Sequence, residues 1–355
     1  MEIKRISIFN EFKCIAQECP ASCCSNIWKI PIDPDIYTKY RSEKGLLGLL
    51  LRCSIEKKRD MTTFRSSFRG CPFWGTDHLC SIQKKHGISY MPAVCIQFPR
   101  QLYNLRFFCE ETLYLSCPEA ARLFLSSVVE GRPFEFTVTE GNVSYEADIT
   151  NDDREFLDYL LKARDELIEM LESGLSFDSM AILDYGLDSQ NACLNQTLLP
   201  NPQDYESSEH YLMTCEKIDN WLFNGFYHSK LRTKSPLLYQ LCRKYVRKFG
   251  CQGRKSPGAA DKKLAVLQEN LYKKMPDLNI ILNRYYEYYL LTNFLDIYED
   301  YSFSKHLRDG MIKTHLLHLF IALYAESRKN INLNEIATLI AVYERRAPQI
   351  SSSVF

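Results

Sequence analysis

Of the fourteen cysteines in this 355-residue chain, ten fall within the first 117 residues, at Cys14, Cys19, Cys23, Cys24, Cys53, Cys71, Cys80, Cys95, Cys109 and Cys117. Even spreading would put roughly five there, so the N-terminal third is organised around sulfur ligation. Three groups are visible. The first is Cys14-x4-Cys19-x3-Cys23-Cys24, whose tight spacing lets thiolates converge at little loop-closure entropy. The second comprises Gly70-Cys71-Pro72-Phe73, Leu79-Cys80-Ser81-Ile82 and Cys95 ahead of Phe98-Pro99-Arg100, in turn-rich surroundings where backbone can fold around a centre. The third is Cys109-Glu110-Glu111 followed by Ser116-Cys117-Pro118-Glu119, where Pro118 at the first helical position and Glu119 in the first turn predict a helix start.

Thiolate-only sites suit either tetrahedral zinc or an iron–sulfur cluster held by cysteines from separate segments. Histidines at zinc-finger spacing and the Cys-x2-Cys knuckle are both missing, although His78 and His86 lie between Cys71 and Cys95. The expectation is that Cys14, Cys19, Cys23, Cys24, Cys71, Cys80 and Cys95 supply one metal centre, with iron–sulfur favoured over zinc. The bland alternative, buried inert thiols, fits the isolated Cys53, Cys193, Cys215, Cys242 and Cys251 best. A redox sensor ranks lower, for want of an isolated thiol beside an obvious resolving partner.

Composition narrows the setting. A chain of this length, 46% hydrophobic and 25% charged, can bury a large core and form two domains, so it is no disulfide-dependent miniprotein. The start lacks an apolar signal region, and no run of eighteen apolar residues follows, which predicts a soluble cytoplasmic protein. In a reducing cytosol clustered thiols hold metal or do redox work rather than form disulfides. Forty-four basic and forty-four acidic residues cancel, removing the electrostatic case for nucleic acid or membrane as the main partner. A monomer is expected.

The elements that must carry these groups read as mainly α. The predicted architecture is a helical bundle or array with an irregular Cys-rich metal-binding N-terminal region and one short β-hairpin. Its parts are a Cys-rich metal-cluster domain over 1–130, a hairpin connector over 131–150 and a helical domain over 151–355. The hairpin pairs the alternation Phe134, Phe136, Val138 with Val143, Tyr145, Ala147, Ile149 across Gly141-Asn142. Asp152 or Asp153 caps a helix carrying Phe156, Leu157, Leu160, Leu161, Leu167, Ile168 and Leu171 before Gly174 stops it. Helical periodicity recurs through 211–226, 237–249, 264–272, 280–298, 312–324 and 336–343. Around Gly250–Gly258 lies the most basic region, with Arg243, Lys244, Arg247, Lys248, Arg254, Lys255, Lys262 and Lys263, read as a solvated face in preference to a docking patch. His315 and His318 stand one helical turn apart with His306 upstream, but no carboxylate sits suitably beside them, so they are kept out of the metal set.

Several of these segments together resemble the flagellin lysine-N-methylase family. The matching pieces are Phe12-Lys-Cys14-Ile-Ala-Gln-Glu-Cys19-Pro-Ala-Ser-Cys23-Cys24 with Trp28, Gly70-Cys71-Pro72-Phe73 with Leu79-Cys80-Ser81-Ile82, Cys95-Ile-Gln-Phe-Pro99-Arg100, and Leu113-Tyr-Leu-Ser-Cys117-Pro118-Glu119-Ala120-Ala121-Arg122. A further match is Tyr286-Glu287-Tyr288-Tyr289-Leu290-Leu-Thr-Asn293, with Tyr288 where the family pattern calls for asparagine. The resemblance implies methyl transfer from S-adenosylmethionine to lysine side chains of flagellin, the expected protein partner, by a protein carrying a [4Fe–4S] cluster. The chain has no Gly-x-Gly turn of a nucleotide-fold methyltransferase and no Asn-His dipeptide of a SET-type enzyme. Radical spacing, Cys-x3-Cys-x2-Cys, fails because Asn26 stands where a third cysteine is needed. The alternative is a non-enzymatic metal-binding adaptor, iron–sulfur or zinc.

Tyr285, Tyr286, Tyr288 and Tyr289 crowd one turn, and such stripes usually form core. The functional alternative has Tyr286 and Asn293 holding the donor by cation–π attraction and hydrogen bonding, with Glu287 and Tyr289 orienting the lysine amine. That amine must lose its proton before nitrogen attacks the methyl carbon.

Overall fold

The computed structural model describes residues 1–25, 29–58, 61–65, 70–141, 147–148, 153–222, 235–250 and 257–346. Its helical elements follow from the apolar periodicity. They are α1 (Pro34–Ser42), α2 (Gly45–Cys53), α3 (Ser81–His86), α4 (Ala93–Gln97), α5 (Pro118–Val129), α6 (Arg154–Glu172), α7 (Met180–Leu194) and α8 (Cys215–Trp221). After these come α9 (Pro236–Phe249), α10 (Pro257–Lys274), α11 (Leu278–Asn293), α12 (Ile297–Asp300), α13 (Phe303–Ala325) and α14 (Leu333–Glu344).

The predicted helix starts are realised by the chemistry that signalled them. Cys117 is the N-cap of α5 with Pro118 next, and Asp153 caps α6 by accepting from Phe156 N at 2.9 Å. Gly174, after α6, adopts φ 107°, a conformation that favours glycine. Asn332 and Glu335 form a reciprocal capping box at α14. The stretch read as one helix over 280–298 breaks after Asn293, passes through a 3-10 turn at Phe294–Asp296 and resumes as α12.

A four-stranded sheet, absent from the sequence reading, closes one side of the helices. The strands β1 (Glu2–Ile6), β4 (Arg100–Asn104), β5 (Phe108–Leu113) and β6 (Phe136–Glu140) lie in the order β4-β5-β1-β6. Strand β1 runs parallel to β5 and antiparallel to β6, with Ile3 opposite Cys109 and Thr139. The first arm of the expected connector hairpin is therefore β6, paired with the chain's first strand. Most of its second arm, including Val143, Tyr145 and Ile149, lies outside the described residues, as do Asp152, Trp28 and Cys251. A two-stranded hairpin is formed by β2 (Ile55–Lys58) and β3 (Met61–Phe64).

Buried apolar residues fall into two cores. The larger runs from Ile6 to Tyr343, with α13 at its centre, buried almost all round from Met311 to Leu323 and packed against α7, α9, α10 and α11. Helix α5 packs along α14. A separate small core of Ile30, Ile32, Ile36, Tyr40, Leu51, Phe64, Phe73 and Ile82 supports Cys71, Cys80 and Cys95.

Candidate metal centre

The cysteine segments are placed by backbone hydrogen bonds. The loop carrying Cys14, Cys19, Cys23 and Cys24 is built from short 3-10 turns at Ala16–Glu18 and Cys23–Ser25. The Cys24 carbonyl accepts from Cys71 N at 2.8 Å, which sets the second segment against the first. Gly70 makes this approach possible: it has φ 92°, and a Cβ there would stand 2.9 Å from the Ser25 Cα and closer still to the Cys24 carbonyl oxygen. Trp74 then bridges antiparallel to Cys80, and Ser81 N donates to Phe73 O at 2.9 Å. The third segment is α4. Its first amide, Ala93 N, donates to Asp33 Oδ2 at 2.7 Å, and Cys95 follows within the same turn. The Phe98–Pro99 peptide after it is cis.

The thiols so gathered act on one another electrostatically. Cys24 is pushed well up by its hydrogen bond with Cys23, by burial and by the charges of Cys23, Cys71 and Cys80. Its neighbour Cys23 is pulled down to about 6, first by the hydrogen bond with Cys24 and, against burial, by the Arg345 charge. Burial raises Cys71 to about 11, with Cys80 and Cys23 adding to it. Cys95 is raised by burial and then by Cys71, Cys23 and Cys80. Cys19 is raised by burial, with Cys23 and Cys14 in reach and Arg345 opposing them. Cys14 and Cys53 are exposed.

Among the described residues no three His, Cys, Asp or Glu side chains are placed to hold a metal ion. The chemistry of the thiols nevertheless fits a thiophilic centre: several soft donors from separate segments, seated on a small apolar core and penalised by mutual repulsion that a cation would relieve. Cys109 stands apart, buried in β5 with Sγ 3.4 Å from Met1 Sδ. Cys215 and Cys242 are buried in the helical core, and Cys193 is half-buried against it.

From Tyr285 to Leu291 the aromatic helix α11 is buried all round. Tyr286 Oη donates to Leu307 O at 3.1 Å, Tyr288 Oη to Leu113 O at 2.7 Å and Tyr289 Oη to His306 O at 3.1 Å, while Tyr285 Oη donates to Glu344. The Tyr286 and Tyr289 rings stack with centroids 6.2 Å apart, and Lys313 Nζ sits 5.0 Å from the Tyr289 centroid. Asn293 donates from Nδ2 to Tyr289 O and to Thr292 Oγ1. Glu287 is buried, receives Arg284 Nη1 at 2.5 Å, and is raised to about 7 chiefly by burial. The structure thus brings Tyr286, Glu287, Tyr289 and Asn293 onto one helix with their polar groups engaged within the chain.

The histidines separate. His306 pairs with Asp300 at 3.0 Å, whereas His315 and His318 are buried on α13 against Phe177 and Tyr272 respectively. Burial pulls them down to about 4 and about 3. In the basic region, Lys244 and Lys248 both pair with Glu326, beside a groove of about 630 Å³ that Lys262, Lys263, Lys273 and Lys274 also line.

Two residues beside these cysteines were not singled out from the sequence. Cys117, read only as a helix start, is raised to about 11 by burial and lies in reach of Cys19 and Cys14. Arg345, at the end of α14, donates to Ala21 O and Ser116 O and acts on Cys23, Cys19 and Cys117. The Cys-Pro-Glu signal marked the first; nothing local in the sequence marks the second.

Comparison with known proteins gives relatives that match part of the chain. It is 26% identical over 122 residues to the flagellar biosynthetic protein FliU of Salmonella muenchen, covering 32% of this chain and 72% of that protein. The same identity and length hold for the lysine-N-methylases of Salmonella typhimurium and Salmonella choleraesuis, of which the chain spans 30%. No family profile and no solved structure matches. Over about a third of its length, then, this chain is similar to proteins that bear the lysine-N-methylase and flagellar biosynthesis names, in accord with the resemblance read from its cysteine segments.

Proposed function

We propose that the protein is a protein-lysine N-methyltransferase that modifies flagellin lysine side chains with S-adenosylmethionine and carries an iron–sulfur cluster of the [4Fe–4S] type. The observation that carries this reading is the likeness, over 122 residues, to proteins named lysine-N-methylase. The gathering of thiols from three segments of the N-terminal region supports the cluster.

In the transfer, the lysine nitrogen forms a bond to the methyl carbon as the carbon–sulfur bond of the donor breaks. The products are methyl-lysine, S-adenosylhomocysteine and the proton the amine gave up. Among the candidates on α11, Glu287 has the better claim to hold that proton, because a carboxyl raised to about 7 is half ionised near neutrality. Tyr289 has its hydroxyl on His306 O and its ring beside Lys313, and Tyr286 has its hydroxyl on Leu307 O, so either would serve donor or amine through its ring face. The cluster would draw its ligands from Cys14, Cys19, Cys23, Cys24, Cys71, Cys80 and Cys95, and would brace the fold of the N-terminal region.

The test is flagellin incubated with protein purified without oxygen and fresh S-adenosylmethionine, read by mass spectrometry. Methylated lysines are expected, lost in Glu287→Gln with donor binding retained. Unmodified flagellin with cluster-loaded protein would sink the reading. The engagement of Tyr286, Tyr289 and Asn293 within the chain favours the second reading, a metal-binding adaptor without catalysis. That reading predicts no heat of S-adenosylmethionine binding in calorimetry.

A further inference from the structure

Helix α10 carries a pair of lysines at each end of one face. Along one row of that face stand Lys262, Val266, Asn270 and Lys274, and along the row beside it Lys263, Leu267 and Leu271, with Lys273 next to Lys274 at the far end. The two pairs are about eleven residues, or about 16 Å, apart along the axis. Between them lies the groove of about 630 Å³, completed by Ala322 and Ala325 of α13. Leu267, Leu271, Ala322 and Ala325 are buried, so its apolar floor is sunk below a lysine rim, while Val266 on the lining is 56% exposed. A solvated face would not set charged ends around a sunken apolar middle.

The carboxylates around the groove are already engaged. Glu326 takes Lys244 and Lys248, Glu269 takes Lys273 at 2.8 Å, and Asp261 accepts from Cys215 N at 2.7 Å. Two of the cations serve the fold, because Lys244 and Lys274 donate to Leu323 O and Ala325 O in the last turn of α13. Lys262 and Lys263 do neither: both are exposed, and among the described residues neither meets a carboxylate. Basic and acidic residues balance over the whole chain, so this positive charge is a local excess.

We propose that the groove docks an acidic segment of a partner protein, with carboxylates at both ends on the lysine pairs and apolar side chains between them on Val266, Leu267 and Leu271. The inference rests neither on methyl transfer nor on the cysteine centre. A single small anion needs donors converging on one point, whereas these are spread along a helix. Bases of a nucleic acid strand stack on aromatic rings and arginines, and the lining has neither. A bilayer surface does not reach a floor sunk between two helices. Exposed ion pairs contribute little each, so the apolar middle supplies affinity and the lysine ends supply register.

The test is fluorescence anisotropy of a labelled peptide of about twelve residues, with two glutamates at each end and leucine and alanine between, titrated with the full chain. Saturable binding is expected, weakening between roughly 50 and 300 mM salt as screening grows. Lys262→Glu/Lys263→Glu should weaken it about tenfold or more. Val266→Ser should weaken it with no change of charge, and thermal unfolding unchanged in both variants shows that the fold is intact. A peptide of the same composition with its glutamates gathered in the middle should bind more weakly. Absent binding, or binding equal in both variants and the unaltered protein, would overturn the docking surface. Equal affinity for the two peptides would overturn the match of charged ends to lysine pairs. Displacement of the labelled peptide by oligothymidylate or by phosphatidylglycerol vesicles at lower concentration than by unlabelled peptide would overturn the protein segment as occupant.

Discussion

Replacing Arg164 by methionine is expected to destabilise the protein by about 3–5 kcal/mol. Arg164 of α6 grips Glu110 of β5 through both guanidinium nitrogens, Nη1 to Oε2 at 2.9 Å and Nη2 to Oε1 at 2.7 Å. The two side chains are only 3% and 4% exposed, so water does little to screen them or to replace a lost partner. Nη1 also reaches Leu291 O at 3.4 Å, so this one pair joins the sheet to α6 and α11. Removing the arginine strands a buried carboxylate, and the cost is mostly the desolvation of that orphan rather than the worth of the pair. Glu110→Leu strands the cation by the same logic, whereas the double replacement removes both charges and should recover most of the loss. Denaturant and thermal unfolding of the four proteins closes the cycle, with each single variant melting on the order of 10 °C lower and the double variant near the unaltered protein. A single variant within about 1 kcal/mol of the unaltered protein, or a double variant as damaged as the sum of the singles, would refute the reasoning.

Gly310 lies inside α13, where a Cβ would meet Tyr286 Cε2 at 2.7 Å and collide with the Tyr289 ring. Gly310→Ala therefore sets about 1–3 kcal/mol of overpacking against about 1 kcal/mol of helix propensity, and a net loss of melting temperature is expected; a gain would show that the rings yield. His315 and His318 are held at about 4 and about 3, below their ordinary 6.5, with Asp178, His210 and Lys217 as the charged neighbours. Protons then bind the unfolded chain more tightly, so their contribution to stability is intact above pH 6.5 and falls as pH drops towards 4. In a melting-temperature profile, the His315→Gln/His318→Gln variant should be flatter over that window, and a profile parallel to the unaltered one would count against it. Stripping metal with a chelator should speed hydrogen exchange in the core of Ile30, Ile36, Tyr40 and Phe73 while leaving the centre of α13 protected, and equal protection before and after would exclude a bracing role for the centre.

Helices were legible wherever an apolar stripe coincided with chemical punctuation. Arg154–Glu172 carries Leu157, Leu160, Leu167 and Leu171 on its buried face, begins at the Asp153 cap and is followed closely by Gly174. Met180–Leu194 escaped notice because its buried face includes Ala181, Gly186 and Ser189, residues too small or too polar to make a stripe. The four-stranded sheet escaped for a different reason. Strands β1 and β5 are parallel neighbours separated by about a hundred residues of chain, and β5 buries Glu110 where a strand pattern calls for an apolar side chain. The Arg164 partner, on a later helix, makes that glutamate tolerable, and no local window contains both.

The candidate centre divides along the same line between local and distant information. Cys14 to Cys24 reads as a tight loop because closure over so short a span costs little, and Gly70-Cys71 as turn-rich backbone, to which the structure adds the close approach of Gly70 to the Cys24 carbonyl. Arg345 could not be placed, since it stands 324 residues from the carbonyl it holds. The tyrosines of α11 posed a different difficulty, because a ring stripe suits both a pocket and a core. The hydroxyls decide between them more sharply than the rings do. A buried tyrosine must place its O–H, and Tyr285, Tyr286, Tyr288 and Tyr289 place theirs on α14, α13, β5 and α13 again, so joining α11 to its neighbours accounts for tyrosine over phenylalanine at all four positions. Glu287 has no such account. Its carboxyl is buried at a cost that raises it to about 7, and Arg284 offsets only part of that cost. A group kept near neutrality at the expense of stability is where chemistry on this helix should be sought first.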